Sequence, residues 1–125
     1  MINDVKEIIY IKKIMPSSSE YFKLEINDDK NLVKYMDDRN FIKELNINIV
    51  SNEIVIEFLS LFFRTIDSWK EEYIDNSAVD GIEWDLKIIY KSGHEEYYSG
   101  KNDFPNNYEK LDEIKYNMLK KVQEE

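Results

Sequence analysis

The sequence predicts an α+β fold, with an antiparallel sheet of about five strands and two helices packed mainly on one face. Three observations support this prediction: segments with alternating apolar side chains come first, a segment with three- and four-residue apolar spacing follows, and a hairpin pattern then precedes a second helical pattern. This order does not alternate strands with helices, as parallel α/β folds do. The length of 125 residues fits one domain, residues 1–125.

The first fifty residues read mainly as strands. Residues 5–14 are rich in β-branched side chains and carry apolar residues on both parities, which predicts a central strand with both faces partly covered. Pro16 and the serines after it end this strand, and residues 21–26 alternate as the next one. A polar turn leads to a third strand at 32–36. Residues 44–50 fit either a short strand or an irregular lead-in.

A change of apolar period at residue 51 predicts a helix over 52–73. Ser51 or Asn52 can cap its first turn. One wide apolar face is formed by side chains at three- and four-residue steps: Ile54, Val55, Phe58, Leu59, Phe62, Ile66 and Trp69.

The last third predicts a hairpin followed by a helix. Residues 82–90 alternate, with Trp84 on the apolar side, and residues 95–99 return after a turn at Gly93, where a positive φ is expected. Gly81 and Gly100 bracket this hairpin. A second helix is predicted over 107–122, with Asn106 as its N-cap.

The loop between hairpin and helix predicts a structural role for three residues. Pro105 favours an extended Phe104, so that this ring plugs the end of the core, and Asn102 satisfies free backbone groups. Ligand binding by the loop is the alternative. Trp84, Tyr97 and Tyr98 are able to stack on sugars or bases, although the position of Trp84 on an apolar face favours a core residue.

The region from Asp80 onward resembles a C-terminal pattern of small, largely uncharacterised bacterial proteins. The pattern runs as Asp-Gly, a strand bearing Trp84, a glycine turn, then Gly-x-Asn-x-aromatic-Pro before a helix, here residues 100–105. The resemblance covers roughly residues 54–119 and implies a shared fold and no particular activity. Phe104 stands where this pattern leads us to expect Tyr.

Residue types exclude several kinds of chemistry. The chain has no cysteine and one histidine, His94, so thiolate catalysis, Cys-ligated zinc and HExxH sites are excluded. The three glycines, at 81, 93 and 100, permit neither a dinucleotide fingerprint nor a phosphate-binding loop. His94 is read as a solvated turn residue, with a partner contact or a catalytic role as alternatives. We expect no cofactor or metal and no catalytic residues.

Charge restricts the classes of partner. The net charge of −9 disfavours nucleic acids and anionic membranes, whose phosphates require Lys and Arg. No apolar run approaches the roughly 18 residues of a membrane span. The N-terminus lacks the pattern of a secretory signal, so we expect a cytoplasmic protein.

Acidic residues concentrate between positions 71 and 96, with eight acids against Lys87 and Lys91. This concentration suggests a non-catalytic module, regulatory or immunity-like, that binds a basic protein. Ordinary solvation of the acids explains the same pattern. An oligomer subunit, a small-molecule carrier and, least favoured, a small hydrolase are the functional alternatives. The predicted partner-binding residues are Glu71, Glu72, Asp75, Asp80, Glu83, Asp85, Tyr97 and Tyr98.

Overall fold

The computed structural model describes residues 2–15, 17–40, 42–77 and 81–124. Over these residues the chain forms seven strands and two α-helices, with single turns of 3₁₀ helix at Ile2–Asp4 and Asp38–Asn40. The elements are β1 (Val5–Ile14), β2 (Ser18–Glu25), β3 (Asn31–Asp37), β4 (Ile42–Val50), α1 (Asn52–Ile66), β5 (Glu72–Ile74), β6 (Ile82–Tyr90), β7 (Glu95–Lys101) and α2 (Tyr108–Glu124).

All seven strands belong to one sheet, in the order β4-β3-β2-β1-β6-β7-β5. Every neighbouring pair is antiparallel except β5 and β7, which are parallel. The α+β class is therefore confirmed, and β1 is central as predicted. The structure has seven strands where about five were predicted, because residues 44–50 form part of strand β4 and because β5 was not expected.

Both helices cover the same face of the sheet, which we call the helix face. Tyr10, Phe22 and Tyr35 lie side by side in register across β1, β2 and β3. Their rings contact Tyr108, Phe58 and Tyr116, with centroid distances of 6.5, 5.7 and 6.3 Å. We call the opposite side of the sheet the open face.

Helix α1 is shorter than the predicted 52–73. Ser51 caps it, since its Oγ accepts from the N–H of Ile54 at 3.3 Å, and the helix ends at Ile66. Trp69 lies in the following turn, where its N–H donates to the carbonyl of Ile66 at 3.0 Å. Its ring packs edge-on against Trp84 with centroids 5.6 Å apart. Tyr73 belongs to β5. The helical spacing of apolar residues in the sequence therefore continues beyond Ile66, where the helix itself ends.

Helix α2 begins at Tyr108, and it buries an apolar stripe formed by Tyr108, Leu111, Ile114, Met118 and Val122. Asn107, one residue after the predicted cap, ties this start to the end of α1. Its Oδ1 accepts from Nε1 of Trp69 at 2.6 Å, and its Nδ2 donates to the carbonyl of Thr65 at 2.8 Å.

Candidate functional site

Gly100 and Trp84 form the centre of a packed corner beside the candidate site. Trp84 is 0% exposed, and its Nε1 donates to the backbone carbonyl of Asp103 at 3.0 Å. Gly100 is the cross-strand neighbour of Trp84, and a β-carbon there would lie 2.0 Å from Nε1. The indole therefore occupies space that any side chain at Gly100 would fill.

At the open end of the hairpin, the side chain of Asn102 likewise occupies the space next to Gly81. Asn102 adopts a positive φ of 55°, its Oδ1 accepts from the N–H of Ile82 at 2.9 Å, and its own N–H donates to the carbonyl of Ile82 at 2.8 Å. A β-carbon on Gly81 would lie 1.6 Å from Oδ1 of Asn102. Gly93, in the opposite turn, has a φ of 92°.

Phe104 and Pro105 connect this corner to α2. Pro105 is buried and its carbonyl accepts from the N–H of Tyr108 at 3.1 Å. Phe104 is partly buried, with its ring centroid 4.7 Å from that of Tyr108. Both residues also line a groove of about 580 Å³ beside Trp69 and Tyr73.

The structure brings some of the predicted partner-binding residues together and separates others. Glu83, Asp85 and Tyr97 share the open face of β6 and β7, with Glu72 placed opposite Ser99 on the same face. Glu71 and Tyr98 border the outer edge of β7. Asp75 lies apart, where its Oδ1 accepts from the backbone N–H of Ser77 at 2.9 Å. Asp80 lies outside the described residues.

A groove of about 600 Å³ follows the outer edge of β7, and we call it the acidic groove. It contains four of the eight predicted residues, together with four that were not singled out for binding. No lysine or arginine is among the described residues that line it. The lining residues are Glu71, Glu72, His94, Glu95, Glu96, Tyr97, Tyr98 and Ser99.

The backbone of β7 is half unpaired along this groove. Strand β5 pairs only with the segment from Ser99 to Lys101. The N–H of Ser99 donates to the carbonyl of Glu71 at 2.9 Å, so the backbone groups of Ser99 point outward. Backbone direction alternates along a strand, hence Glu95 and Tyr97 also direct their N–H and C=O groups to the outer edge. Within the described chain, no strand pairs with them there.

Tyr97 is held next to the groove by Asp85. Its ring is 51% exposed, and its hydroxyl donates to Oδ1 of Asp85 on the neighbouring strand. This hydrogen bond, with burial and the negative charge of Asp85, raises the pKa of Tyr97 to about 12. Tyr97 therefore stays neutral at physiological pH and presents an oriented aromatic ring.

Glu96 is oriented by two tyrosines on the helix face. Its Oε1 accepts from the hydroxyl of Tyr90 at 2.7 Å, and its Oε2 accepts from Tyr98 at 3.2 Å. Burial and the Glu96 carboxylate raise the pKa of Tyr98 to about 12. A carboxylate has about four acceptor positions, so Glu96 retains capacity for a further donor.

Glu95 is the one groove glutamate with an ion pair among the described residues. Its Oε1 lies 2.8 Å from Nζ of Lys87, and both side chains are nearly half exposed. Exposed pairs of this kind contribute about 0–1 kcal/mol, so a cation from a partner can displace Lys87 at small cost.

A second polar cluster, buried between the sheet and α2, was missed at the sequence level. Glu20 of β2, Asp37 of β3 and Lys115 of α2 are each 0% exposed. Nζ of Lys115 donates to Oε2 of Glu20 and lies 3.0 Å from Oδ1 of Asp112. It also lies 4.5 Å from the ring centroid of Tyr10. We call these groups, with Tyr35 and Arg39, the buried ion cluster.

Arg39 and Tyr35 complete the buried ion cluster. Nη2 of Arg39 lies 2.9 Å from Oδ2 of Asp37 and 3.2 Å from Oε1 of Glu20. The hydroxyl of Tyr35 is 3.1 Å from Glu20 and 3.2 Å from Asp37. Burial alone would raise the pKa of Asp37, but the hydrogen bonds and charge of Arg39 lower it below its usual value. These carboxylates are committed to internal partners.

His94 lies exposed at the hairpin tip, where its ring stacks on Tyr90 with centroids 5.6 Å apart. In the described residues no group of three or more Asp, Glu or His side chains is arranged to hold a metal ion. Likewise, no helix in the described ranges has the length and apolar character needed to cross a membrane.

Comparison with known proteins gives no family for this chain. No family model matches the sequence, and the search of curated proteins finds no match either.

Proposed function

We propose that this protein is a non-catalytic binding module that holds an extended, basic segment of another protein in the acidic groove. The observation that supports this most strongly is that β7 combines an unpaired backbone edge with acidic and aromatic side chains. Unpaired backbone groups at Glu95 and Tyr97 face the same groove as four glutamates and two tyrosines.

Each part of the groove suits a different part of such a segment. The exposed edge of β7 supplies backbone hydrogen bonds to an added strand, which is a recurring mode of peptide recognition. Glu71, Glu72, Glu95 and Glu96 attract lysine or arginine side chains. Tyr97 and Tyr98 alternate across the strand and provide apolar contact on both sides of the groove.

The charge of the whole chain favours the same class of partner. A net charge of −9 opposes binding to nucleic acid or to anionic lipid and accelerates encounter with a basic protein. Neutralisation of a basic surface by occupying it is the regulatory or immunity-like role that this chemistry permits. As part of the same proposal, we place the protein in the cytoplasm of a bacterial cell.

Binding is favoured over hydrolysis by the state of the ionisable groups. Glu20, Asp37 and Lys115 are fully buried; Lys115 pairs with Glu20 and Arg39 pairs with Asp37, so no substrate reaches them. The accessible carboxylates line an open groove, in which His94 stacks on Tyr90. We therefore assign a recognition role to the accessible acids.

A lysine-rich peptide of about eight residues, long enough to cross the exposed half of β7, provides the test. Fluorescence anisotropy should show binding at about 0.02 M NaCl and at least about tenfold weaker binding at 0.5 M, because salt screens exposed charges. In a groove variant, Glu71, Glu72, Glu95 and Glu96 become Gln, which keeps the size of each side chain and removes four charges. This variant should lose most of the affinity.

A matched control variant removes four exposed acids elsewhere by changing Asp28 and Asp29 to Asn and Glu53 and Glu109 to Gln. It should bind the peptide nearly as well as the wild type. Equal loss of affinity in the two variants would show that net charge alone attracts the peptide, and would contradict a specific site.

A further inference from the structure

Strand β4 carries an exposed aliphatic row at the edge of the sheet opposite the acidic groove. Leu45, Ile47 and Ile49 are 46%, 55% and 63% exposed. Ile47 and Ile49 are paired with Lys34 and Leu32 of β3 and therefore lie on the open face. Neither α-helix of the described chain covers this side, so β4 exposes its apolar side chains there and one line of backbone groups along its outer edge.

The two edges of the sheet differ in their protection against strand pairing. Soluble proteins usually shield an edge with short strands, charges, proline or bulges. The edge strand β5 has three residues and begins with Glu72. The edge strand β4 has nine residues and is irregular near its start, where the pairing with β3 shifts register between Ile42 and Asn46. Its segment 45–49 contains no charge and no proline. Among the described strands, β4 therefore offers a longer uncharged edge than β5 or the acidic exposed half of β7.

The sequence of this segment is self-complementary under two-fold symmetry. The segment reads Leu-Asn-Ile-Asn-Ile, so an antiparallel pair centred on Ile47 places Ile47 against its own copy and Leu45 against Ile49. The two aliphatic rows then meet on the open face. Asn46 meets Asn48 on the helix face, where their amides can hydrogen-bond. A two-fold axis through Ile47 suits either kind of antiparallel residue pair.

The distribution of charge also favours contact at β4. This strand contains one lysine and one glutamate, so it is formally neutral, whereas β5, β6 and β7 together carry five acids against two lysines. The strands of one sheet are spaced by about 4.8 Å, which puts the acidic edges of two copies joined at β4 roughly 60 Å apart. That separation far exceeds the Debye length of about 8 Å at physiological salt.

We propose that two copies of this chain associate by antiparallel pairing of β4 with β4 around Ile47. The contact is a continuous sheet that leaves both acidic grooves accessible at its ends, so it is independent of the proposed binding function. A strand pair buries less than the roughly 800 Å² per partner of a standard interface. The dimer therefore dissociates on dilution.

Sedimentation velocity of the full chain from about 1 μM to about 1 mM, a range that covers weak and moderate affinities, should show a concentration-dependent dimer. Ile47→Lys places two like charges directly opposite each other and should weaken the dimer about tenfold or more. Ile56→Lys is the matched control, since Ile56 is 54% exposed on α1, and it should leave association unchanged. A wild type that stays monomeric throughout this range would overturn the proposal.

Single-cysteine variants test the register, because the chain has no cysteine of its own. Under mild oxidation Ile47→Cys should form a covalent dimer rapidly, since only residue 47 pairs with itself. Ile49→Cys should not, because its symmetry mate lies four residues away along the partner strand. Cross-linking of Ile49→Cys in preference to Ile47→Cys would overturn the two-fold pairing around Ile47, and so would equal cross-linking of both variants.

Discussion

At the scale of single residues, Gly100 and Trp84 define the corner that supports the acidic groove. The indole of Trp84 fills the space over Gly100, and its Nε1 bonds to Asp103. Gly100 lies in β7, the strand that also presents Glu95, Glu96 and Tyr97. Packing at one end of β7 therefore fixes the strand that carries the candidate site.

Gly100→Ala should destabilise the protein by about 1–3 kcal/mol, because the added methyl overpacks a buried site. Two contacts cause this: the β-carbon would lie 2.0 Å from Nε1 of Trp84 and 2.6 Å from the backbone oxygen of Asp103. Urea unfolding measures the effect, with Ser99→Ala as a neighbouring control expected within about 0.5 kcal/mol of wild type. An unchanged midpoint for Gly100→Ala would contradict the tight packing.

Asp85→Asn should lower the pKa of Tyr97 from about 12 toward 10.0. The hydrogen bond to the carboxylate is the main cause of the raised value, and the neutral amide accepts a weaker bond. The raised pKa favours the fold below pH 10, and this contribution is lost as pH rises from about 10 to 12.

The titration of Tyr97 can be followed by tyrosinate absorbance, as the difference between each protein and its Tyr97→Phe counterpart. Glu83→Gln, also on the open face of β6, is the control and should leave the titration nearly unchanged. A Tyr97 titration that Asp85→Asn does not move would show that the hydroxyl lies elsewhere in solution.

At the scale of elements, the buried ion cluster joins α2 to β2 and β3. Lys115 is fully buried between Glu20 and the ring of Tyr10. Lys115→Met keeps an apolar stem of similar length and leaves Arg39 as the one cationic partner of Glu20 among the described residues. Removal of one partner from a buried pair costs about 3–5 kcal/mol, and we expect a loss of that size in urea unfolding.

The comparison for this prediction is Lys110→Met on the same helix. Lys110 pairs with Glu113 at 3.2 Å, but both side chains are more than half exposed. Exposed pairs contribute about 0–1 kcal/mol, so this variant should remain close to wild type. Similar losses for the two lysines would argue against a buried role for Lys115.

The lowered pKa of Asp37 predicts how the stability contributed by the buried ion cluster changes at acidic pH. Its pKa is lowered in the fold, so it contributes stability above its ordinary value of 3.8, and this contribution is lost as pH falls through the lower folded value. Asp37→Asn should be less stable than wild type at pH 7. The gap in stability between the two proteins should narrow as pH falls below 3.8 and through the lower folded pKa of Asp37, because both proteins then carry a neutral side chain at this position. A constant gap across this pH range would contradict the assignment.

Sequence patterns predicted most elements but not the end of α1. Ile66, Trp69 and Tyr73 continue a helical spacing, so the pattern predicted helix to residue 73. The residues after Ile66 point inward for another reason: Trp69 packs on Trp84, and β5 pairs with a strand more than twenty residues away. A three-residue parallel pairing has no local signal, because its partner is chosen by tertiary contact.

The two polar sites differ in how far the sequence predicted them. Local charge density pointed to Glu71 and Glu72, and the neighbouring aromatic residues to Tyr97 and Tyr98. The open strand edge that joins these residues depends on where β5 stops, which the sequence does not indicate. The buried ion cluster left a signal that was available: Glu20 shares the parity of Phe22, and Asp37 shares the parity of Tyr35. A charged residue on an apolar parity indicates a buried pair, and its partner becomes visible only in the folded chain.

At the scale of the whole molecule, negative charge is distributed unevenly. Residues 71–96 carry a formal charge of −6 out of a total of −9. Four glutamates share the acidic groove without a lining lysine or arginine among the described residues. Like charges held this close repel one another, and the fold tolerates this cost next to the surface that we propose for binding.

The groove variant should therefore be more stable than wild type at low salt, although it loses peptide binding. In wild type, a change from about 0.01 M to 0.5 M NaCl shortens the Debye length from about 30 Å to a few ångströms and should raise Tm by a few degrees. The groove variant should start with a higher Tm and respond less to salt, because its repulsion is already removed.

The control variant loses the same formal charge with a different expected outcome. Glu53 and Glu109 lie in the first turns of α1 and α2, where negative side chains interact favourably with the helix dipole, worth about 0.3–1 kcal/mol each. Differential scanning calorimetry should show no gain in Tm for this variant at low salt. Equal gains in the two variants would mean that total charge, and not its concentration along β7, limits stability. The acidic groove would then be no more strained than the rest of the surface.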